Sequence, residues 1–149
     1  MATVYLSLGS NKGRRPDNIK KAVRLLDECG LRIVDMSALY ETTPISNVAQ
    51  RDFINACVRV ETSFSPRKVL RVVQHIERVM GRDRSRPKRK GYERPRIIDI
   101  DILLYDDIVL RTQRLTIPHP RMHMRPFVLE PLADIAPDIT EKLLKSRGE

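Results

Sequence analysis

The stretch Arg94-Pro95-Arg96-Ile97-Ile98-Asp99-Ile100-Asp101-Ile102-Leu103-Leu104 constrains this chain more than any other. Its strict alternation predicts a β-strand, in which residues two apart share a face. Ile98, Ile100 and Ile102 bury one side, while Asp99 and Asp101 project together from the other. Aspartate is depleted in strands, so two on one face ask for a reason. At roughly 3.3 Å per residue they stand about 6.6 Å apart along the strand, and their charges repel unless a cation sits between them. Mg²⁺ suits such a pair, because it takes one or two carboxylates and completes its shell with water and phosphate oxygens. Two metal ions about 3.5–4 Å apart could be held from that spacing. Arg96 lies just before the pair. Carboxylates for metal beside arginine for phosphate suggest a nucleotide site.

Charge points the same way. The net charge is +9, and the segment from Arg82 to Arg96 alone contributes +6, with eight basic residues against Asp83 and Glu93. An anionic partner follows, although charge does not distinguish a polynucleotide from a mononucleotide. Connections longer than about 12–15 residues are unusual in compact domains unless they are functional or disordered. A solvated charged loop is the plain alternative. No Gly-x-x-x-x-Gly-Lys-Ser/Thr occurs, so phosphate binding has to come from side chains and metal, not a P-loop.

At 149 residues the chain is expected to form a single domain over 1–149 with a substantial core. No apolar run approaches the length of a membrane span, and the start at Met1 lacks the basic region of a signal peptide. Cys29 and Cys57 lie in periodic apolar segments and read as buried free thiols. A reducing cytoplasm and a monomer are the simplest expectations, with neither membrane nor nucleic acid as partner.

The remaining periodicities give an order of elements. Val4 to Leu8 is an apolar strand ending in the turn-rich Gly9-Ser10-Asn11-Lys12-Gly13. A helix follows, with Pro16 in its first turn, Ile19, Ala22, Val23, Leu26 and Cys29 at helical spacing, and Gly30 as terminator. Leu31 to Tyr40 reads as an interrupted strand and Thr42 to Asp52 as a loop. In Phe53 to Thr62, Ile54, Ala56, Val58 and Val60 face the core, and Phe53, Asn55, Cys57 and Arg59 face away. Ser65-Pro66 starts a second helix that Gly81 closes. The order predicts an α+β, ferredoxin-like βαββαβ sandwich: an antiparallel sheet, both helices on one face, and the other face open for a ligand. Phe53, Asn55, Asp99 and Asp101 then share that open face. Beyond Asp107, Ile108–Leu110 reads as a short strand, and Phe127–Ile135 and Thr140–Ser146 as short helices.

Single residues say less. Gln74 and Glu77, three apart, share a polar helix face and read in isolation as solvated surface. His119 sits between prolines, and the pKa near 6.5 usual for a histidine would allow it to meet a phosphate. Phe127 is by default a core residue, whereas Phe53 has polar neighbours on its face.

Together the motifs resemble those of the 6-hydroxymethyl-7,8-dihydropterin pyrophosphokinases of folate biosynthesis, from about Val4 to Pro137. Those that carry the resemblance are, in order, Leu8-Gly9-Ser10-Asn11, Tyr40-Glu41-Thr42-Thr43-Pro44, Asp52-Phe53-Ile54-Asn55-Ala56, Gln74-His75-Ile76-Glu77 with Gly81-Arg82, Pro95-Arg96-Ile97-Ile98-Asp99-Ile100-Asp101 and Leu115-Thr116-Ile117-Pro118-His119-Pro120. The resemblance implies transfer of a pyrophosphoryl group from ATP, as co-substrate, to the pterin hydroxymethyl oxygen, leaving AMP. It implies that Asp99 and Asp101 hold two Mg²⁺ ions, and that Phe53 and Phe127 sandwich the pterin while Asn55 and the Thr42, Thr43, Pro44 and Ile45 segment contact it. Gln74, Glu77, Arg82, Arg84, Arg96, Ile102, Arg114, Thr116, His119 and Arg125 match ATP-side positions, and Arg82, Arg96, Asp99, Asp101 and His119 match catalytic ones. The chain departs from the pattern at Glu93 and Arg94, where the family usually has a tryptophan and a small residue. No residue stands out as general base.

A competing expectation is an RNA-binding module. Lys90-Gly91-Tyr92 begins like the RNA-recognition consensus but breaks at Glu93-Arg94-Pro95, and the acidic pair would repel phosphate without metal.

Overall fold

The computed structural model describes residues 1–43, 52–81 and 95–147. Strand β1 (Ala2–Ser10) runs through the middle of an antiparallel sheet. It pairs on one side with β4 (Phe53–Thr62), in register from Ala2↔Thr62 to Ser10↔Ile54, and on the other with the edge strand β5 (Asp99–Tyr105). β2 (Arg32–Met36) and β3 (Tyr40–Thr42) both lie along the far side of β4, giving the order β2-β4-β1-β5. The interrupted strand expected over Leu31–Tyr40 is therefore two strands. The break has a local cause: the Ser37 hydroxyl accepts the Cys57 N–H at 2.9 Å, taking the place of a ladder carbonyl.

Helices α1 (Arg15–Glu28) and α2 (Pro66–Val79) cover one sheet face. Their apolar stripes, Ile19, Ala22 and Leu26 on α1 and Val69, Val73 and Ile76 on α2, pack onto Val4, Leu6 and Leu8 of β1 and Ile98, Ile100 and Ile102 around β5. All of these are essentially buried, and each large aliphatic side chain so placed contributes roughly 1.5–3 kcal/mol by leaving water. The Ser65 hydroxyl caps α2 by accepting the Lys68 N–H, as expected, and Pro66 stands in its first turn. Gly30 ends α1 at φ +97°, and a Cβ there would come within 2.6 Å of the Phe64 ring.

The second face departs from expectation. It is open only at one end, because α3 (Pro126–Ile135) and α4 (Pro137–Arg147) close the rest. Cys57, Leu103, Met122, Val128 and Leu132 form a second apolar cluster there, with Tyr5, Leu104 and Phe127 against it. A register shift between Tyr5 and Leu6 makes room for it: the extra residue in β5 turns both Leu103 and Leu104 toward α3. Cys57 is a buried free thiol, with burial pushing its pKa up to about 12, whereas Cys29 is only partly buried. In the chain between β5 and α3, β6 (Leu110–Arg111) and β7 (Thr116–Ile117) form a small hairpin, shifted from the expected Ile108–Leu110 strand. Its turn is closed by the Thr112 hydroxyl, which donates to the Leu115 carbonyl and accepts the Leu115 N–H. No helix among the described residues is long and apolar enough to cross a membrane.

Candidate active site

The uncovered end of the second face is a cleft of about 840 Å³ between the sheet, α2, the β6–β7 hairpin and the start of α3. It brings together residues far apart in the chain. Its lining includes Thr42, Thr43, Phe53, Asn55 and Phe127 together with Gln74, Glu77, Arg96, Asp99, Asp101, Ile102, Arg114, Thr116, His119 and Arg125. Pro44, Ile45, Arg82 and Arg84, together with the remainder of the basic segment through Arg94, lie outside the described residues.

The carboxylate pair sits where alternation places it. Asp99 and Asp101 are partly exposed, while Ile98, Ile100 and Ile102 are buried. Each aspartate faces a guanidinium: Arg96 Nη1 is 3.0 Å from Asp99 Oδ1, and Arg125 Nη1 is 3.8 Å from Asp101 Oδ2. Burial pushes the Asp101 carboxyl up to about 6, with the Asp99 charge adding to it and Arg125 opposing it. A cation reaching both carboxylates would favour their ionised forms. Among the described residues no group of three or more His, Cys, Asp or Glu side chains is close enough together to hold a metal ion by itself. The donor set is thus two hard oxygen ligands at a solvent-reaching cleft, which fits Mg²⁺ with its retained water and phosphate oxygens and does not fit a closed Zn²⁺ cage.

Arg96 is fixed from behind. The Asn11 N–H donates to the Arg96 carbonyl at 3.0 Å, and Asn11 Oδ1 accepts the Arg96 N–H at 2.7 Å. Asn11 is itself buried, so the turn after β1 docks on the residue that opens the acidic strand. The motif containing Asn11 was legible in the sequence; its hold on Arg96 was not.

Glu77 is the clearest correction to reading α2 as a solvated polar face. It is 1% exposed, and its Oε2 accepts the Ile100 N–H at 3.0 Å. Gln74, one turn earlier, is partly buried and borders the cleft.

His119 follows the cis Ile117–Pro118 bond, and its N–H donates to the Leu103 carbonyl at 2.9 Å. Its Nδ1 accepts the Arg121 N–H at 3.2 Å. A neutral imidazole whose Nδ1 accepts carries its proton on Nε2, which leaves that N–H as a donor. Burial lowers its pKa, and Arg125 and Arg121 lower it further, so the neutral form is favoured.

At the other part of the cleft the Asn55 amide donates to Thr42 Oγ1 at 2.6 Å. Gly9 lies beneath it: a Cβ there would be 3.1 Å from Asn55 Oδ1 and 3.4 Å from the Phe53 ring. A methyl there would be tight against the Asn55 amide and in ordinary contact with the Phe53 ring. Phe127, in the first turn of α3, both borders the cleft and packs on the second apolar cluster, and the Arg125 guanidinium lies 5.6 Å from its ring centre. Gly9, Leu70, Arg121 and Met124 also line the cleft without having been singled out for it. Leu70 and Met124 carry no signal in a sequence beyond apolarity.

Fold and site together define a mixed α/β protein with an acidic–basic cleft at one end of an antiparallel sheet. Wild-type Plasmodium falciparum HPPK-DHPS, solved with pteroate, has a similar fold, with a TM-score of 0.73 at 19% identity over 98% of this chain and 42% of that one. The chain belongs to the 7,8-dihydro-6-hydroxymethylpterin-pyrophosphokinase (HPPK) family, whose model matches residues 5–137. It is 39% identical over 139 residues to the 2-amino-4-hydroxy-6-hydroxymethyldihydropteridine pyrophosphokinase of Bacillus subtilis, covering 93% of this chain and 80% of that protein. It is 43% identical over 136 residues to the Schizosaccharomyces pombe folic acid synthesis protein fol1, covering 91% of this chain but only 18% of the yeast protein's length.

Proposed function

We propose that this protein is a 2-amino-4-hydroxy-6-hydroxymethyldihydropteridine pyrophosphokinase. It transfers a pyrophosphoryl group from ATP to the hydroxymethyl group of 6-hydroxymethyl-7,8-dihydropterin and releases AMP, a step of folate synthesis. The observation that carries this reading is one cleft, in a chain of this family, with two aspartates flanked by Arg96, Arg125 and His119 beside Phe53, Asn55 and Phe127.

The pterin hydroxymethyl oxygen attacks the β-phosphorus of ATP. The bond from that phosphorus to the α–β bridging oxygen breaks, AMP leaves with the oxygen, and the hydroxyl proton is released to solvent. Such transfers depend mainly on positioning and charge stabilisation. Asp99 and Asp101 would hold two Mg²⁺ ions, which supply positive charge to the triphosphate oxygens. Arg96 and Arg125, which stand against the two carboxylates, would be free to turn to phosphate oxygens once those carboxylates held metal. At about 4 Å and an effective dielectric near 20, each such pair amounts to roughly 4 kcal/mol before desolvation. Neutral His119 donates from Nε2. Phe53 and Phe127 stack on the flat pterin, and Asn55, oriented by Thr42, reads its polar edge. Gln74, Glu77, Ile102, Arg114 and Thr116 take the nucleotide side, to which Arg82 and Arg84 are also assigned; Thr43, Pro44 and Ile45 take the pterin side.

The frame fits the ferredoxin-like arrangement, with α1 and α2 on one face of β2-β4-β1-β5. Residues 1–149 are read as a single pyrophosphokinase domain, a cytoplasmic monomer acting on small molecules and not on nucleic acid. Incubation with ATP, Mg²⁺ and hydroxymethyl-dihydropterin should yield AMP only when the pterin is present. Release of ADP, or AMP formation indifferent to pterin, would overturn the assignment.

A further inference from the structure

Arg15, in the first turn of α1, is outside every motif considered above. Its Nη1 donates to two acceptors at once, Glu41 Oε2 at 2.9 Å and the Asp52 carbonyl at 2.7 Å. Glu41 immediately precedes Thr42, and Asp52 immediately precedes Phe53. Thr42 and Phe53 are register partners at the ends of β3 and β4, and Thr42 Oγ1 takes the Asn55 amide. One nitrogen of α1 therefore ties together the two backbone segments from which this part of the cleft is built.

Stability does not account for the arrangement. Over half of the Glu41 side chain is exposed, and exposed ion pairs contribute little to folding. Arg15 is largely buried, and among the described residues its Nε has no hydrogen-bond partner although solvent does not reach it. A buried donor without a partner opposes folding. What the contact delivers is geometry.

We propose that Arg15 is a positioning residue for the pterin half of the cleft. It sets the spacing of Thr42 and Phe53, and through Thr42 the orientation of Asn55; this rests on the reading of that half as the pterin site. Arg15 does not line the cleft, and the ATP half, built on β5 and α2, does not depend on it.

The test measures pterin affinity by the pterin's own fluorescence, together with separate KM values for pterin and ATP, in the whole protein. Arg15→Ala should weaken pterin binding about ten-fold, leave the ATP KM within two-fold and keep the circular dichroism spectrum. Arg15→Lys should stay within about three-fold of the unsubstituted protein, because both bonds pass through one nitrogen that an ammonium can replace. Glu41→Gln, on the surface, should weaken pterin binding about three-fold and supports the proposal even where Arg15→Ala folds poorly. Pterin affinity unchanged in both Arg15→Ala and Glu41→Gln, or pterin and ATP affinity falling together, would overturn it. Failure of the unsubstituted protein to bind pterin would instead overturn the pterin reading, before any variant is made.

Discussion

The buried Glu77 carboxylate of α2 accepts the backbone N–H of Ile100, the residue between Asp99 and Asp101, at 3.0 Å. Among the described residues β5 is an edge strand, and no described strand serves the groups on its outer side. A side chain from the helix above supplies the acceptor instead. The hydrogen bond fixes the strand at the point where both aspartates leave it.

Glu77→Ala leaves a buried donor unpaired, at a cost of about 1–3 kcal/mol. Glu77→Gln keeps an acceptor of the same reach. The alanine variant should therefore melt several degrees lower, at about 2–4 °C per kcal/mol in a chain of this size, and should need more Mg²⁺ for half-maximal turnover. The glutamine variant should lie between it and the parent. Thermal melts and Mg²⁺ titrations check this, and an alanine variant with the parent's melt and Mg²⁺ dependence would refute it.

Gly9→Ala addresses the other part of the cleft. The new methyl would press on Asn55 Oδ1 at 3.1 Å and meet the Phe53 ring at 3.4 Å, without any demand on the backbone angles. Asn55 has to give by a few tenths of an ångström, whereas the distance to the Phe53 ring is an ordinary contact. The pterin KM should rise about five-fold or more while the ATP KM stays near the parent value. Steady-state kinetics with each substrate varied in turn would show it, and an unchanged pterin KM would mean that the wall yields freely.

Much of this arrangement was readable because it depends on period and local chemistry. Alternation placed Asp99 and Asp101 on one face and Ile98, Ile100 and Ile102 on the other, and Ser65-Pro66 marked the start of α2. The open sheet face was overestimated because its cover comes from the chain's last third. Cys57 looks equally at home on either side of a strand, and the β5 irregularity that turns Leu103 and Leu104 to one side breaks the alternation on which such a reading depends. The helices of that cover are legible, over Phe127–Ile135 and Thr140–Ser146, but nothing in the sequence says which sheet face they pack on. Glu77 and Arg15 were unreadable for a different reason. A charged residue on a helix looks solvated until the fold shows which backbone group it meets.

His119 offers a pH test with a defined sign. Its pKa is lowered by burial and by Arg125 and Arg121, so folding favours the neutral ring. The stability this gives is present above the ordinary value near 6.5 and is lost as pH falls toward the lowered one. His119→Gln removes the titration. Between pH 7.5 and 5.5 the parent should therefore lose more thermal stability than the variant, and at pH 7.5 the variant should turn over at least ten-fold more slowly. Equal pH dependence of the two melting temperatures would contradict the neutral assignment.

Asp101 should show the reverse sign, and a separation of stability from activity. Its carboxyl is raised to about 6, chiefly by burial and then by Asp99, so in the metal-free protein the ionised form is the costly one. Its stabilising contribution is present below the ordinary carboxyl range and is lost as pH rises through about 6. Asp101→Asn holds the shape and removes the charge. A shift of that size would correspond to roughly 3 kcal/mol; solvent reaches 37% of the side chain and screens it, which leaves about 1 kcal/mol. At pH 8 without metal the asparagine variant should melt about 2–4 °C above the parent, and the gap should close by pH 4. The same variant, like Asp101→Ala, should have lost nearly all Mg²⁺-dependent turnover, since a neutral amide is a poor substitute for a carboxylate toward a hard cation. Added Mg²⁺ should stabilise the parent and not the variant, because a ligand stabilises only the state that binds it. A variant that is less stable at pH 8, or that keeps substantial turnover, would remove Asp101 from the metal site.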